Sequence, residues 1–301
     1  MPHTIKSLWK DDKAYLPLLL SEQYKNKLIE IGMLEYAAEH VRKEDKEGPV
    51  GGASIEETHR HFAERFSNSC IRLQYVLIDP KEKFGHIPEY FYSTFFSGDV
   101  ALLDAPCGTG AGALSLLYTL RELRLENKLP ALPLKVSILA GDFSTEALKI
   151  YENMLEIAKP KFEEVNMFIE FKLKQWDAFE ASSTQFLLDE FRSFSADEYF
   201  VIVSAFSGID KKFFDKLCNS ITHMQLCLST VPNTMVHIEP ETKKGKNFFR
   251  KIKEILNLIL GDNGDISEFK PNERFFWKDP INLRDVQSSV MVSLNCRDKK
   301  E

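Results

Sequence analysis

An α/β fold is predicted for this chain of 301 residues: a three-layer α/β/α sandwich around a mixed, seven-stranded sheet with an antiparallel edge hairpin, plus an N-terminal helical extension. Three observations predict it. From residue 98 onward, short apolar runs alternate with helical stretches, the pattern of a parallel sheet covered on both faces. A glycine-rich turn follows the first of these strands and opens a helix. The last two strand-like runs have no helix between them, so they pair as a hairpin and make the sheet mixed.

Composition bounds the reading. Apolar residues make up 44% and charged residues 28%, an ordinary globular balance that excludes a disordered, collagen-like or mucin-like chain. A chain of this mass folds to roughly 13,000 Å² from about 50,000 Å² unfolded, so its core needs no disulfide or metal staple. The net charge of −6 argues against a general nucleic-acid binder, which carries a basic excess. The five cysteines (Cys70, Cys107, Cys218, Cys227 and Cys296) form no CxxC pair. They read as thiols in a reducing, cytoplasmic setting rather than as a disulfide framework or zinc site, and no metal is expected. Met1 to Lys6 lead into charged sequence, so no signal peptide is read. No run of about 18 apolar residues occurs, so no membrane span is expected.

Along the chain, residues 24–42 show helical spacing in Leu28, Ile31, Leu34 and Ala38. The charged, Gly/Pro-rich stretch 44–52 reads as a loop. Ser54 precedes Glu57 by three, a capping-box signature. The helix it starts runs to about residue 76, with Phe62, Phe66, Cys70, Leu73 and Leu77 on one face. Pro80 and Pro88 punctuate the stretch after that helix. Strands are then expected at 100–104, 134–140, 167–173, 198–204 and 234–238, with helices at 111–125, 145–158, 186–194, 211–228 and 246–260. The 145–158 helix is expected to stop before Pro160. The final strands are 274–277 and 289–294. Residues 1–97 form the N-terminal helical segment and 98–301 the main α/β domain.

The chemistry sits in Leu102-Leu103-Asp104-Ala105-Pro106-Cys107-Gly108-Thr109-Gly110-Ala111-Gly112. Gly108 and Gly110 let the backbone approach a ligand where a side chain would collide. The helix after the turn presents free N–H groups to a polar or anionic ligand. By itself such a turn also suits plain strand–helix packing. Two further acids strengthen the ligand reading. Asp142, in Gly141-Asp142-Phe143, ends the second strand, where a carboxylate can accept both hydroxyls of a ribose and Phe143 can pack on a purine. Asp177, in Gln175-Trp176-Asp177-Ala178-Phe179, comes after the third strand and can hold an exocyclic amine. Asp104, Asp142 and Asp177 stand at three successive strand ends and are expected to face one crevice, since open parallel sheets bind ligands beyond their carboxyl ends.

These residues resemble the class I S-adenosylmethionine-dependent methyltransferase superfamily over roughly 98–295. Leu103 to Gly110 match its hydrophobic-Asp-x-x-x-Gly-x-Gly motif, Asp142 its ribose-binding acid, and Asp177-Ala178 its adenine-binding motif. Val201 to Phe206 occupy the fourth-strand position beside methyl donor and acceptor, and 234–240 resemble the fifth-strand segment. The resemblance implies a Rossmann-like fold and S-adenosyl-L-methionine as cofactor, with S-adenosyl-L-homocysteine as product. Its cofactor-binding residues would be Asp104, Ala105, Pro106, Gly108, Gly110, Asp142, Phe143, Asp177, Ala178 and Ser204. Pro106 departs from the commoner Gly-x-Gly-x-Gly turn. No Asn-Pro-Pro-Tyr or Asp-Pro-Pro-Tyr sequence is present at the fourth strand, which removes the usual signal for methylation of an adenine, cytosine or glutamine amino group. Cys107 lies inside the turn and lines it rather than acting as a nucleophile.

In the N-terminal segment His61 and Arg65 are four apart and share a helical face, whereas His59 and His61 do not. That face reads either as solvated or as part of a lid. In the second case His61, Arg65 and, from the fourth strand, Phe206 would line the substrate. Lys246, Arg250 and Lys253 share a basic helical face, an ordinary solvated face or an RNA-contacting strip.

These features admit three function classes. The leading one is a methyltransferase acting by in-line displacement on an acceptor that is a small molecule rather than RNA. Alignment of the reactants does most of the work there, so no diagnostic catalytic residue stands out; Ser204, Phe206 and His61 are the first to test. The second is a methyltransferase-like S-adenosylmethionine-binding protein acting in RNA modification or assembly. The third, a nicotinamide-dependent oxidoreductase, fits less well: the turn is not Gly-x-Gly-x-x-Gly, and Asp142 lies further on than the acid expected about 20 residues beyond it.

Overall fold

A single nine-stranded sheet organises the computed structural model, which describes residues 5–40, 52, 54–204, 214–260 and 265–297. Its parallel heart is β3 (Gly98–Asp104), β4 (Leu134–Asp142), β5 (Met167–Gln175), β6 (Glu198–Ser204) and β7 (Asn233–Glu239). The order across the sheet is β5-β4-β3-β6-β7. The chain begins in the middle, steps out to one edge, then returns to the other side of β3. The crossover direction therefore reverses between β3 and β6, where a doubly wound sheet opens its ligand crevice.

Burial on both faces explains the continuous apolar runs. Val100 and Leu102 of β3 join one core cluster, and Ala101 and Leu103 the other. The first face is covered by α3 (Ile55–Ile78), α5 (Ala111–Leu125) and α6 (Thr145–Glu163). The second is covered by α7 (Ala181–Arg192), α8 (Phe214–Leu228) and α9 (Lys243–Leu260).

The sheet has nine strands rather than seven. The expected hairpin exists, as β8 (Asp265–Lys278) and β9 (Asp285–Arg297), with β9 antiparallel to β7. It does not form the edge. Two short N-terminal strands, β1 (Trp9–Lys10) and β2 (Lys13–Tyr15), extend the sheet beyond β8, with Ala14 opposite Trp277. They cover the unpaired N–H and C=O groups that β8 would expose. Asp11 and Asp12 turn between them with φ of 53° and 58°, which two aspartates signal far more weakly than Asn-Gly.

Other boundaries moved for local reasons. The 24–42 stretch is two helices, α1 (Leu18–Glu30) and α2 (Leu34–Glu39), broken at Gly32 with φ 69°. α6 runs through Pro160, which lies on the exposed face, where water can meet the carbonyl left without a donor. α4 (Ile87–Thr94) starts with Pro88 in its first turn, a placement that favours helix initiation. The expected 211–213 turn of α8 lies outside the described residues.

α3 positions the site. Ser54 caps it by accepting the Glu57 N–H at 3.1 Å, as the capping signature requires. At its far end Asp79 adopts φ 34° and its carboxylate accepts the N–H groups of Lys83 and Phe84. Near the start, the Thr58 hydroxyl lies 3.1 Å from that of Ser144, just past β4. Near the end, Arg72 Nε donates to the Ser289 carbonyl of β9 at 3.0 Å. The helix between those contacts is about 21 Å long. Four strand spacings, from β4 to β9, are about 19 Å. α3 thus runs from the loop after β4 to β9 and packs on α5 between them.

Candidate functional site

The glycine turn is pinned at both flanks. Leaving β3, Ala105 donates its N–H to the Ile202 carbonyl of β6 at 3.2 Å, and a cis peptide joins it to the half-buried Pro106. Cys107 donates its N–H to the Gly141 carbonyl of β4 at 2.9 Å. Gly108 has φ 51° and donates its N–H to Asp142 Oδ2 at 2.8 Å. A Cβ on Gly108 would meet no atom within 4 Å, so this glycine borders open space.

Gly110 is different. It caps α5 at φ 84°, and a Cβ there would lie 2.0 Å from Cδ2 of Tyr151. Its missing side chain makes room for a tyrosine ring from α6, not for a ligand. The two glycines that look equivalent in sequence serve different neighbours.

The three acids also separate. Asp142 is half-buried, and its second oxygen accepts the Ser144 N–H at 2.9 Å. Burial raises its pKa, against the pull of the backbone donors Ser144 and Gly108. Phe143 beside it is 58% exposed. Asp177 is half-buried; its Oδ1 accepts the Phe179 N–H at 2.8 Å and its own N–H donates to Ser183 Oγ. Trp176 donates its N–H to the Asp142 carbonyl at 2.9 Å, which holds the β4 and β5 ends together. Ala178 is half-buried and accepts from Ser220.

Asp104, in contrast, is wholly enclosed. It does not look into a crevice with the other two; it faces α5 and α6 under the turn. Oδ2 accepts the Ala113 N–H at 3.3 Å and the Tyr151 hydroxyl at 3.4 Å, while Oδ1 has no hydrogen-bond partner among the described residues. Burial pushes its pKa up to about 8. Cys70, Cys107 and Tyr151 surround it, each shifted upward by burial and then by neighbouring acids. Burial among these weak acids favours the protonated, neutral carboxyl of Asp104.

Ser204 ends β6 half-buried, opposite Ile238 of β7. Phe206 lies outside the described residues. Thr58, His61, Arg65 and Arg72 succeed one another at helical spacing and form one stripe of α3. Thr58 and Arg72 contact the two flanks of the sheet, so half-buried His61 and Arg65 lie along the path between. Burial, with Arg65 second, pushes the His61 pKa down to about 4, so its imidazole is neutral at pH 7. Sequence reasoning missed Tyr151, because nothing in the spacing of α6 says that its ring meets Gly110. Ser144, which caps α6 by accepting the Ala147 N–H, was legible as a cap residue before a helix.

Among the described residues no group of three or more His, Cys, Asp or Glu could hold a metal ion, and no helix is long and apolar enough to cross a membrane. None of the five cysteines forms a disulfide.

No protein-family model and no curated protein sequence matches the chain. Solved structures do. One is assigned as an S-adenosyl-L-methionine-dependent methyltransferase of Methanococcus maripaludis: 12% identical, covering 86% of this chain and 98% of that one, TM-score 0.39. A second is assigned as a methyltransferase of Streptococcus mutans and was solved with S-adenosylhomocysteine: 10% identical, covering 70% and 97%, TM-score 0.39. A third is described by the conversion of a disulfide bond into a thioacetal group during echinomycin biosynthesis: 12% identical, covering 67% and 77%, TM-score 0.36. Similarity at this level leaves the activity of this chain to its own residues.

Proposed function

We propose that the chain is an S-adenosylmethionine-dependent methyltransferase with a small-molecule acceptor. In this reading residues 98–301 bind the cofactor and 1–97 form the lid and substrate segment. The observation that carries it is the pairing of Asp142 with Gly108 at the carboxyl end of the sheet. An open glycine, a half-buried carboxylate and an exposed Phe143 ring adjoin there.

The residues present fit the cofactor. Each Asp142 oxygen accepts one N–H and retains acceptor capacity for a ribose hydroxyl. Phe143 offers a ring face for a purine, and Asp177-Ala178 adjoin it across the β4–β5 ends. The space beside Gly108 admits a ligand without displacing a side chain. S-adenosylmethionine would supply a sulfonium methyl with a neutral thioether as leaving group. The chain's own work is alignment, for which proximity offers roughly 7–11 kcal/mol. The α3 stripe would limit water over the strand ends, and neutral His61 would accept a proton from, or orient, the acceptor. Ser204 would stand beside it. A net charge of −6 favours a small acceptor over RNA.

Calorimetric titration of S-adenosylmethionine, S-adenosylhomocysteine and NAD into wild type and Asp142→Ala tests this. Micromolar binding of the two methionine-derived ligands, lost in the variant, is expected. Absence of that binding, or tighter binding of NAD, overturns the reading.

A further inference from the structure

Tyr151 is the unassigned residue with the most direct hold on the site. It is fully buried on α6, more than 40 positions from the turn in sequence. Its ring atoms Cδ2, Cε2 and Cγ lie 2.0, 2.2 and 2.6 Å from where a Gly110 Cβ would stand. Real Cβ atoms do not come that close, so ring and glycine occupy one packing position between them. The hydroxyl of the same residue donates to Asp104 Oδ2 at 3.4 Å. Tyr151 therefore touches both ends of the motif: the acid that closes β3 and the glycine that opens α5.

We propose that Tyr151 is a positioning residue for the cofactor turn: its ring sets where Gly110 begins α5, and its hydroxyl holds the enclosed Asp104 carboxylate in place beneath the turn. This role rests on the turn being a binding site for S-adenosylmethionine. Tyr151 need not touch the ligand. It acts through Asp104 and Gly110, which fix the ends of the turn, and so through the placement of the α5 amino terminus.

The groups facing Asp104 are Tyr151 from α6, Cys70 from α3, Cys107 from the turn and Asp142 from β4. Only the Tyr151 side chain donates a hydrogen bond to it among the described residues. Removing that donor makes the ionised carboxylate harder to form. If ligand binding needs the carboxylate ionised, the pH at which binding strengthens moves upward. A tyrosine that merely fills space would leave that midpoint alone, because phenylalanine fills the same space.

The test measures S-adenosylmethionine affinity from pH 6 to 9 for wild type, Tyr151→Phe, Tyr151→Ala, Gly110→Ala and the Gly110→Ala/Tyr151→Ala double variant, with urea unfolding of each. Tyr151→Phe keeps the ring and is expected to fold normally, with its binding midpoint shifted upward by about half a pH unit or more. Gly110→Ala is expected to lose binding at least 100-fold. In the Tyr151→Ala background the same change should cost about tenfold, the residue of left-handed strain, so the two sites couple by at least tenfold. An unmoved midpoint in Tyr151→Phe together with additive losses in the cycle overturns the positioning role while the cofactor assignment stands. A wild type that binds no S-adenosylmethionine overturns both.

Discussion

The Asp142 carboxylate accepts the Gly108 N–H at 2.8 Å, so the end of β4 and the turn after β3 form one unit. With Cys107 bonded to the Gly141 carbonyl alongside, the turn leans on β4 through two successive residues of each. Asp142→Ala should therefore unfold more easily, by about 1–3 kcal/mol in urea, besides losing ligand. Asp142→Asn keeps an acceptor and should recover most of that stability but not the ligand affinity. Equal stability of Ala and Asn variants would mean that the turn holds its shape without this bond.

Asp104 makes stability depend on pH in an unusual direction. Its pKa is raised to about 8, so between the unfolded value and pH 8 the folded chain binds the extra proton. Stability then falls as pH rises through that window and levels above it. His61 and His237, both lowered to about 4 by burial, act oppositely: their contribution rises with pH from about 4 to the unfolded value near 6.5. The Asp104 effect is thus clearest from pH 6.5 to 8. Urea midpoints there should fall with pH in wild type and stay flatter in Asp104→Asn. Parallel curves would show an ordinary, ionised carboxylate.

Arg65 lies on the α3 stripe between Thr58, which meets Ser144, and Arg72, which meets Ser289. Arg65→Ala is expected to weaken S-adenosylmethionine binding at least tenfold, read by calorimetry. An unchanged dissociation constant would remove α3 from the cofactor site.

At the opposite end of the strands, Arg124 works without the site. Its buried guanidinium donates to the carbonyls of Leu132 at 2.7 Å, Val165 at 3.0 Å and Phe96 at 3.0 Å. These carbonyls precede β4, β5 and β3, so one fork ties three strand starts together. Arg124→Met should cost about 3 kcal/mol or more, because several buried acceptors lose their donor at once. Ligand affinity of the folded fraction should stay within twofold.

His237 sits on β7, 2% exposed, with neither ring nitrogen bonded among the described residues. Burying polar atoms without partners costs stability, so His237→Leu should be neutral or stabilising by about 1 kcal/mol in denaturant. A loss of 2 kcal/mol or more would reveal partners for the ring. Retained stability with lost turnover would instead give His237 a role in the reaction.

Much of the architecture was legible in short windows. The runs ending at Asp104, Asp142 and Ser204 are strands because apolar residues buried on both faces leave no other periodicity. Ser54 and Glu57 announced the start of α3. Strand ends were underestimated at β8 and β9, whose outer residues are held by partners far along the chain: Lys278 lies opposite Tyr15, and Asn295, Cys296 and Arg297 lie opposite Met235, Thr234 and Asn233. The β1–β2 pair was invisible, since two or three residues make a strand only when an edge such as β8 waits for them.

Local sequence thus determined the alternation of strands and helices and the chemical cast of the turn, because hydrophobic period and glycine content act over a few residues. Tertiary structure decided which member of that cast does what. It enclosed Asp104 but left Asp142 half-open, gave Gly110 to the Tyr151 ring and Gly108 to open space, and drew α3 from Ser144 to Ser289. Each of those outcomes depends on contacts between residues tens to hundreds of positions apart. Such contacts are set by packing in three dimensions and leave no periodic trace along the chain.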